Sequence, residues 1–145
     1  MAEDDRVGPP RHLQWKSGPM WSRSHEFASS VQTLISASGR LIGVIDEGII
    51  GQPRGVPAFW TLIARDAFNG IPLWRRPCDR IPPHALAAIE DRVYVTLRSR
   101  GPLGILDAAS GQTLHTCEQT GRVTEIAFCE NRVILGTQLP GEDGS

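Results

Sequence analysis

A turn flanked by two apolar strands occurs twice in this chain. It appears as Leu62-Ile63-Ala64-Arg65-Asp66-Ala67-Phe68-Asn69-Gly70-Ile71-Pro72-Leu73-Trp74 and as Gly104-Ile105-Leu106-Asp107-Ala108-Ala109-Ser110-Gly111-Gln112-Thr113-Leu114-His115. An arginine that opens a strand after a turn occurs three times, in Gly39-Arg40-Leu41-Ile42, Asp91-Arg92-Val93-Tyr94 and Asn131-Arg132-Val133-Ile134. The two patterns keep step: Gly70 to Arg92 is 22 positions and Gly111 to Arg132 is 21. Arg40 to Gly70 is 30 positions against 19 from Arg92 to Gly111, an excess of 11 that coincides with Gly48-Ile49-Ile50-Gly51-Gln52-Pro53-Arg54-Gly55-Val56-Pro57-Ala58. Glycines and prolines break strands, so this stretch is a loop inserted between two strands. A repeat of roughly 40 residues made of short strands is the pattern of a β-propeller blade.

The strands have the character that a blade requires. Val31 to Ala37, Leu41 to Ile45, Trp60 to Ala64 and Ile71 to Trp74 are short, rich in β-branched, leucine and aromatic residues, and bounded by turn residues. Leu86 to Ile89, Val93 to Leu97, Gly104 to Leu106 and Thr113 to Cys117 form a second set, and Val123 to Phe128 with Val133 to Thr137 begin a third. The expected fold is all-β, a partial β-propeller of about two four-stranded antiparallel blades plus the start of a third. It divides into a lead-in segment at 1-30, a first blade at 31-80 with the inserted loop at 48-58, a second blade at 81-120, the start of a third at 121-137 and a flexible tail at 138-145.

Asp66 and Asp107 can accept hydrogen bonds from backbone N–H groups a few residues on, while Gly70 and Gly111 can take positive φ without a Cβ penalty. Each segment therefore turns one strand back on the next. Leu73, Leu114 and Trp74 are expected in the packing between neighbouring blades. His115 stands where the first repeat has Trp74, so the second blade should pack less well there.

The chain has 145 residues, 40% hydrophobic and 21% charged, which is globular rather than disordered. A full ring of four to eight blades needs roughly 160 to 340 residues, so the chain is expected to be an N-terminal fragment. Its 15 basic and 16 acidic side chains give a net charge of −1, and no basic run exceeds pairs such as Arg75-Arg76. Binding to nucleic acid or an anionic membrane through a basic face has little support. No apolar stretch is long enough to span a bilayer as a helix. Met1-Ala2-Glu3-Asp4-Asp5-Arg6 is acidic where a secretory signal has a basic patch, so these residues carry no export address and the compartment stays open. Cys78, Cys117 and Cys129 are odd in number and include no C-x-x-C pair, so packed free thiols are expected rather than a disulfide framework or zinc site.

Ala64-Arg65-Asp66-Ala67-Phe68-Asn69-Gly70 followed by Leu73-Trp74, with Leu106-Asp107-Ala108-Ala109-Ser110-Gly111 in the next repeat, resembles the pyrroloquinoline quinone (PQQ)-type propeller repeat. More narrowly, the chain is similar to planctomycete-type PQQ-binding-like β-propeller proteins. Residues 8 to 137 carry the likeness, from Gly8-Pro9-Pro10-Arg11-His12-Leu13-Gln14-Trp15 and Trp21-Ser22-Arg23-Ser24-His25-Glu26 onward. The resemblance implies an eight-bladed fold like that of quinoprotein alcohol dehydrogenases and of the propeller lipoprotein of the outer-membrane β-barrel assembly machinery. It also implies a cell-envelope or periplasmic setting. The connection from Arg75 to Ala85 is shorter than is usual in that group, where a tryptophan-containing extension intervenes.

A working quinoprotein dehydrogenase needs calcium to polarise the quinone, an aspartate to take the substrate proton, and ligands converging on the central channel. The adjacent cysteines often found beneath the cofactor have no counterpart here. Asp46 and Glu47 stand at a strand end, where they either cap the Gly48 turn or bind a cation or polar ligand. Arg23, His25 and Glu26 form the densest polar group, either a hydrogen-bonded anchor for the lead-in segment or an acid–base cluster in a cleft. Trp15 and Trp21 are expected to cover the side of a blade rather than stack on a ligand. His12, His25, His84 and His115 lack metal-site spacing, and neither a phosphate loop nor a catalytic serine or zincin motif occurs. The sequence therefore points to a non-enzymatic PQQ-like scaffold or binding module, with no metal or cofactor of its own. Its expected partners are the remaining blades of a longer chain, a second copy or another protein. The alternative is the N-terminal part of a PQQ- and calcium-dependent dehydrogenase whose catalytic blades are missing.

Overall fold

The computed structural model describes Trp15, residues 31–47 and residues 60–138. The inserted loop at 48–58, the cluster Arg23, His25 and Glu26, and Trp21 lie outside the described residues. Among the described residues, ten strands follow one another: β1 (Val31–Ala37), β2 (Arg40–Asp46), β3 (Trp60–Asp66), β4 (Pro72–Pro77), β5 (Leu86–Ile89), β6 (Arg92–Val95), β7 (Leu103–Asp107), β8 (Thr113–Cys117), β9 (Val123–Cys129) and β10 (Arg132–Thr137). A 3₁₀ turn, Pro83–Ala85, leads into β5. The fold is all-β, with antiparallel sheets in the orders β1-β2-β3-β4 and β5-β6-β7-β8 and a two-stranded sheet of β9 and β10. The first strands touch in succession, β1 against β5 and β5 against β9, so the sheets follow one another as propeller-like blades. No closed ring forms among the described residues.

Local chemistry sets each reversal. Ser38 and Gly39 between β1 and β2, and Glu130 and Asn131 between β9 and β10, all have positive φ, the conformation of the two-residue hairpin whose twist matches its strands. Between β3 and β4, Asp66 Oδ1 accepts the Phe68 and Asn69 N–H groups at 2.9 and 3.0 Å, and Gly70 at φ 75° donates its N–H to Asp66 O at 2.8 Å. Between β7 and β8, Asp107 Oδ2 accepts the Ser110 N–H at 3.0 Å, and Gly111 at φ 73° donates to Asp107 O at 2.8 Å. Each turn is pinned to the neighbouring hairpin: Ala67 N–H donates to Gly39 O and Ala108 N–H to Asp91 O, both at 2.9 Å. The repeat extends to irregularities, since the register slips between Ala64 and Arg65 against β4 and between Ile105 and Leu106 against β8.

Period-two alternation gives each sheet two faces. Ile35, Ile42, Ala64 and Trp74 share one row of the first sheet, as do Val44 and Leu62 in the next row on the same face. This face meets Leu86, Val95, Val93 and Leu106 of the second sheet in one continuous core. Ile42, Val44, Leu62, Val93, Val95 and Leu106 are fully buried, each contributing about 1.5–3 kcal/mol by leaving water. The other face of the second sheet, through Tyr94, meets Phe128 of β9 edge to face at a centroid distance of 5.1 Å.

One expectation fails here. Leu73 and Leu114 do not enter the packing between blades but are 42% and 57% exposed. Adjacent residues on a strand point to opposite faces, so turning Trp74 inward turns Leu73 outward. Leu114, next to the exposed His115, stays in solvent as well.

Candidate functional site

The blade junction is built around tryptophans that sit on glycines. Trp74, buried on β4, donates its indole N–H to Ala108 O of the next sheet at 2.8 Å. Its ring lies so close to Gly111 that a Cβ there would stand 2.5 Å from Trp74 Cδ2. Trp15 makes the same contact one blade earlier: its N–H donates to Ala67 O at 3.0 Å, and a Cβ on Gly70 would lie 2.5 Å from Trp15 Cε3. Trp15 thus covers the side of the first sheet and fills, for that sheet, the seat that Trp74 fills for the second. Arginines brace both seats, since Arg65 Nη1 donates to Gly70 O at 2.8 Å and Arg76 Nη1 to Gly111 O at 2.6 Å.

Beside the Trp15 seat lies an apolar groove of about 170 Å³ on the face of the first sheet opposite the one that meets the second sheet. Its walls include Val31 and Leu34 on β1, Leu41 and Ile45 on β2, Ile63 on β3, and the Trp15 ring. Leu34 is 60% exposed and Val31 40%, whereas Ile45 and Ile63 at the floor are buried. Arg65 gives the groove a cationic edge, and its pKa is lowered from the ordinary guanidinium value by burial and then by neighbouring Arg75. The corresponding face of the second sheet, carrying Val93 and Leu106, is buried against the first.

Glu47, one of the two strand-end carboxylates, accepts a hydrogen bond from Thr61 Oγ1 at 2.9 Å and pairs with Arg75 on β4. Asp46 is buried at the end of β2. Asp66, Gly70, Trp74, Asp107 and Gly111 form the turns and seats described above. Asp107 has its pKa lowered, first by the hydrogen bond from the Ser110 side chain. Cys78, Cys117 and Cys129 are free, and no group of three or more His, Cys, Asp or Glu side chains suited to a metal occurs among the described residues. No described helix is long and apolar enough to cross a membrane.

Neither a protein-family model nor a curated protein matches this chain. Among solved structures, it is similar to two computationally designed proteins at 15% identity. The match to Ika8 covers 74% of this chain and 42% of that one, with a TM-score of 0.35. The match to Ika4 covers 77% and 88%, with a TM-score of 0.37.

Proposed function

We propose that this chain is a non-enzymatic, PQQ-like propeller repeat segment that serves as a scaffold or binding module. The observation that carries this reading is the groove beside Trp15, an apolar blade face whose counterpart in the second sheet is fully packed. Its occupant is another sheet face, from a second copy, a further blade or a β-rich partner. Leu34 stands up from the groove, and Arg65 at its edge favours a partner sheet with an acidic rim.

Sedimentation velocity of the full chain over a wide concentration range tests the reading. Self-association is expected and should be abolished by Leu34→Glu, which sets a charge on the groove wall without touching the interior. A monodisperse monomer at every concentration that also captures no separately supplied blade would overturn it. Oxidation of an alcohol or sugar by the chain with added PQQ and calcium would overturn the non-enzymatic part.

A further inference from the structure

Asn69-Gly70 is the one place in the chain where an asparagine precedes a glycine; the other asparagine, Asn131, precedes Arg132. In a flexible chain an asparagine followed by glycine is reactive, because the glycine has no Cβ to hinder approach to its own backbone nitrogen. That nitrogen attacks the carboxamide Cγ. A C–N bond closes a succinimide ring, the Cγ–Nδ2 bond breaks, and the carboxamide nitrogen leaves as ammonia with the proton given up by the backbone amide. Water then opens the ring at either carbonyl and leaves aspartate or isoaspartate.

The turn between β3 and β4 engages the groups that this reaction needs. Gly70 N, the nucleophile, keeps its proton in a hydrogen bond to Asp66 O at 2.8 Å. Asn69 Oδ1 accepts the Ile71 N–H at 2.9 Å, and the Asn69 N–H donates to Asp66 Oδ1 at 3.0 Å. Arg65 Nη1 donates to Gly70 O at 2.8 Å. Trp15 closes the clamp from above: a Cβ on Gly70 would lie 2.5 Å from its Cε3, and its indole N–H donates to Ala67 O at 3.0 Å. Asn69 is exposed, so water reaches its carboxamide, whereas Gly70 is buried under the indole. The matching turn of the second sheet has Ser110 before Gly111, and a serine has no carboxamide to lose.

We infer that Asn69-Gly70 is a latent site of spontaneous covalent modification, shut while Trp15 sits on Gly70 and converted to aspartate or isoaspartate when that seat empties. The inference does not rest on the scaffold reading, since it needs neither a partner nor the groove. Isoaspartate lengthens the main chain by one methylene and sets a second carboxylate beside that of Asp66, so the bonds that hold Gly70 beneath the indole no longer match. Conversion thus loosens the same seat whose opening permits it.

Peptide mapping by mass spectrometry tests it on the full chain, incubated at mildly alkaline pH with and without urea, and reads residue 69 apart from the Asp143-Gly144 pair. The chain unfolded in urea should convert at least about tenfold faster than the folded chain. Without urea, Trp15→Ala should approach the unfolded rate, and Trp15→Phe, which keeps a ring but loses the bond to Ala67 O, should fall between that rate and the wild type. Where circular dichroism shows Trp15→Ala to be unfolded, Trp15→Phe decides. Leu114→Ser, an exposed position on β8, should convert at the wild-type rate. Asn69→Ser, which copies Ser110 of the second repeat, should show no conversion at this position. After equal ageing in urea and return to buffer, wild type should have a lower urea midpoint than Asn69→Ser. Equal rates for the folded and unfolded chain, folded Trp15 variants no faster than wild type, or equal midpoints after ageing would overturn the inference.

Discussion

Two glycines with nearly the same backbone carry different burdens. Gly39 has φ 72° and open space where a Cβ would be, while Gly111 has φ 73° and the Trp74 ring 2.5 Å from that point. Gly39→Ala should therefore cost only the left-handed penalty, about 1–2 kcal/mol. Gly111→Ala should cost clearly more, because the tryptophan must leave its seat and its bond to Ala108 O. Urea denaturation of the two variants checks this, and equal losses would mean that the seat contributes nothing. Trp74→Ala should destabilise by about 3–5 kcal/mol. Cys78 gives a pH signature: burial pushes its thiol up to about 11 from the model-peptide value of 9.0. The raised group favours the folded state below pH 9, and that contribution is lost as pH climbs from 9 toward 11. Wild type should lose stability over this interval more steeply than Cys78→Ser, as measured by urea midpoints at successive pH values.

At the level of strands, alternation decides which leucines matter. Leu73→Ser and Leu114→Ser should stay within about 0.5 kcal/mol of wild type, since both side chains are in water. Leu62→Ala and Leu106→Ala should each cost about 2–5 kcal/mol, since both are fully buried. Chemical denaturation of the four variants separates the groups. The strands were legible in the sequence because their limits are local: Val31–Ala37, Leu86–Ile89 and Thr113–Cys117 are bounded by turn residues whose chemistry acts within a few positions. The faces were less legible, because the leucine beside a tryptophan looks equally apolar until register is known. The equivalence of Trp15 to Trp74 was hidden for a different reason. Trp15 to Gly70 spans 55 positions where Trp74 to Gly111 spans 37, and the inserted loop accounts for only part of the difference.

For the molecule as a whole, stability follows from how many faces of each sheet are covered. Where sheets touch only their neighbours, stability is approximately a sum of sheet terms and interface terms. The second sheet is covered on both faces, by the Val44 and Leu62 side of the first sheet and by Phe128 of β9. The sheet of β9 and β10 has two strands, is held through Val123, Ile126 and Leu135, and leaves Ile134 54% exposed. Opening this sheet exposes little apolar surface, whereas opening β6 exposes Val93 and Val95 together with the first sheet. Local opening should therefore begin at β9 and β10. In native-state hydrogen exchange, the cross-strand-bonded amides of β10 should exchange at least about tenfold faster than those of β6 and β7. Phe128→Ala should speed exchange in β9 and β10 while leaving β2 and β3 unchanged, because its contact is with Tyr94 on the far face of the second sheet. Equal protection in all three sheets would instead make the described sheets one cooperative unit, held by interfaces that do not act pairwise.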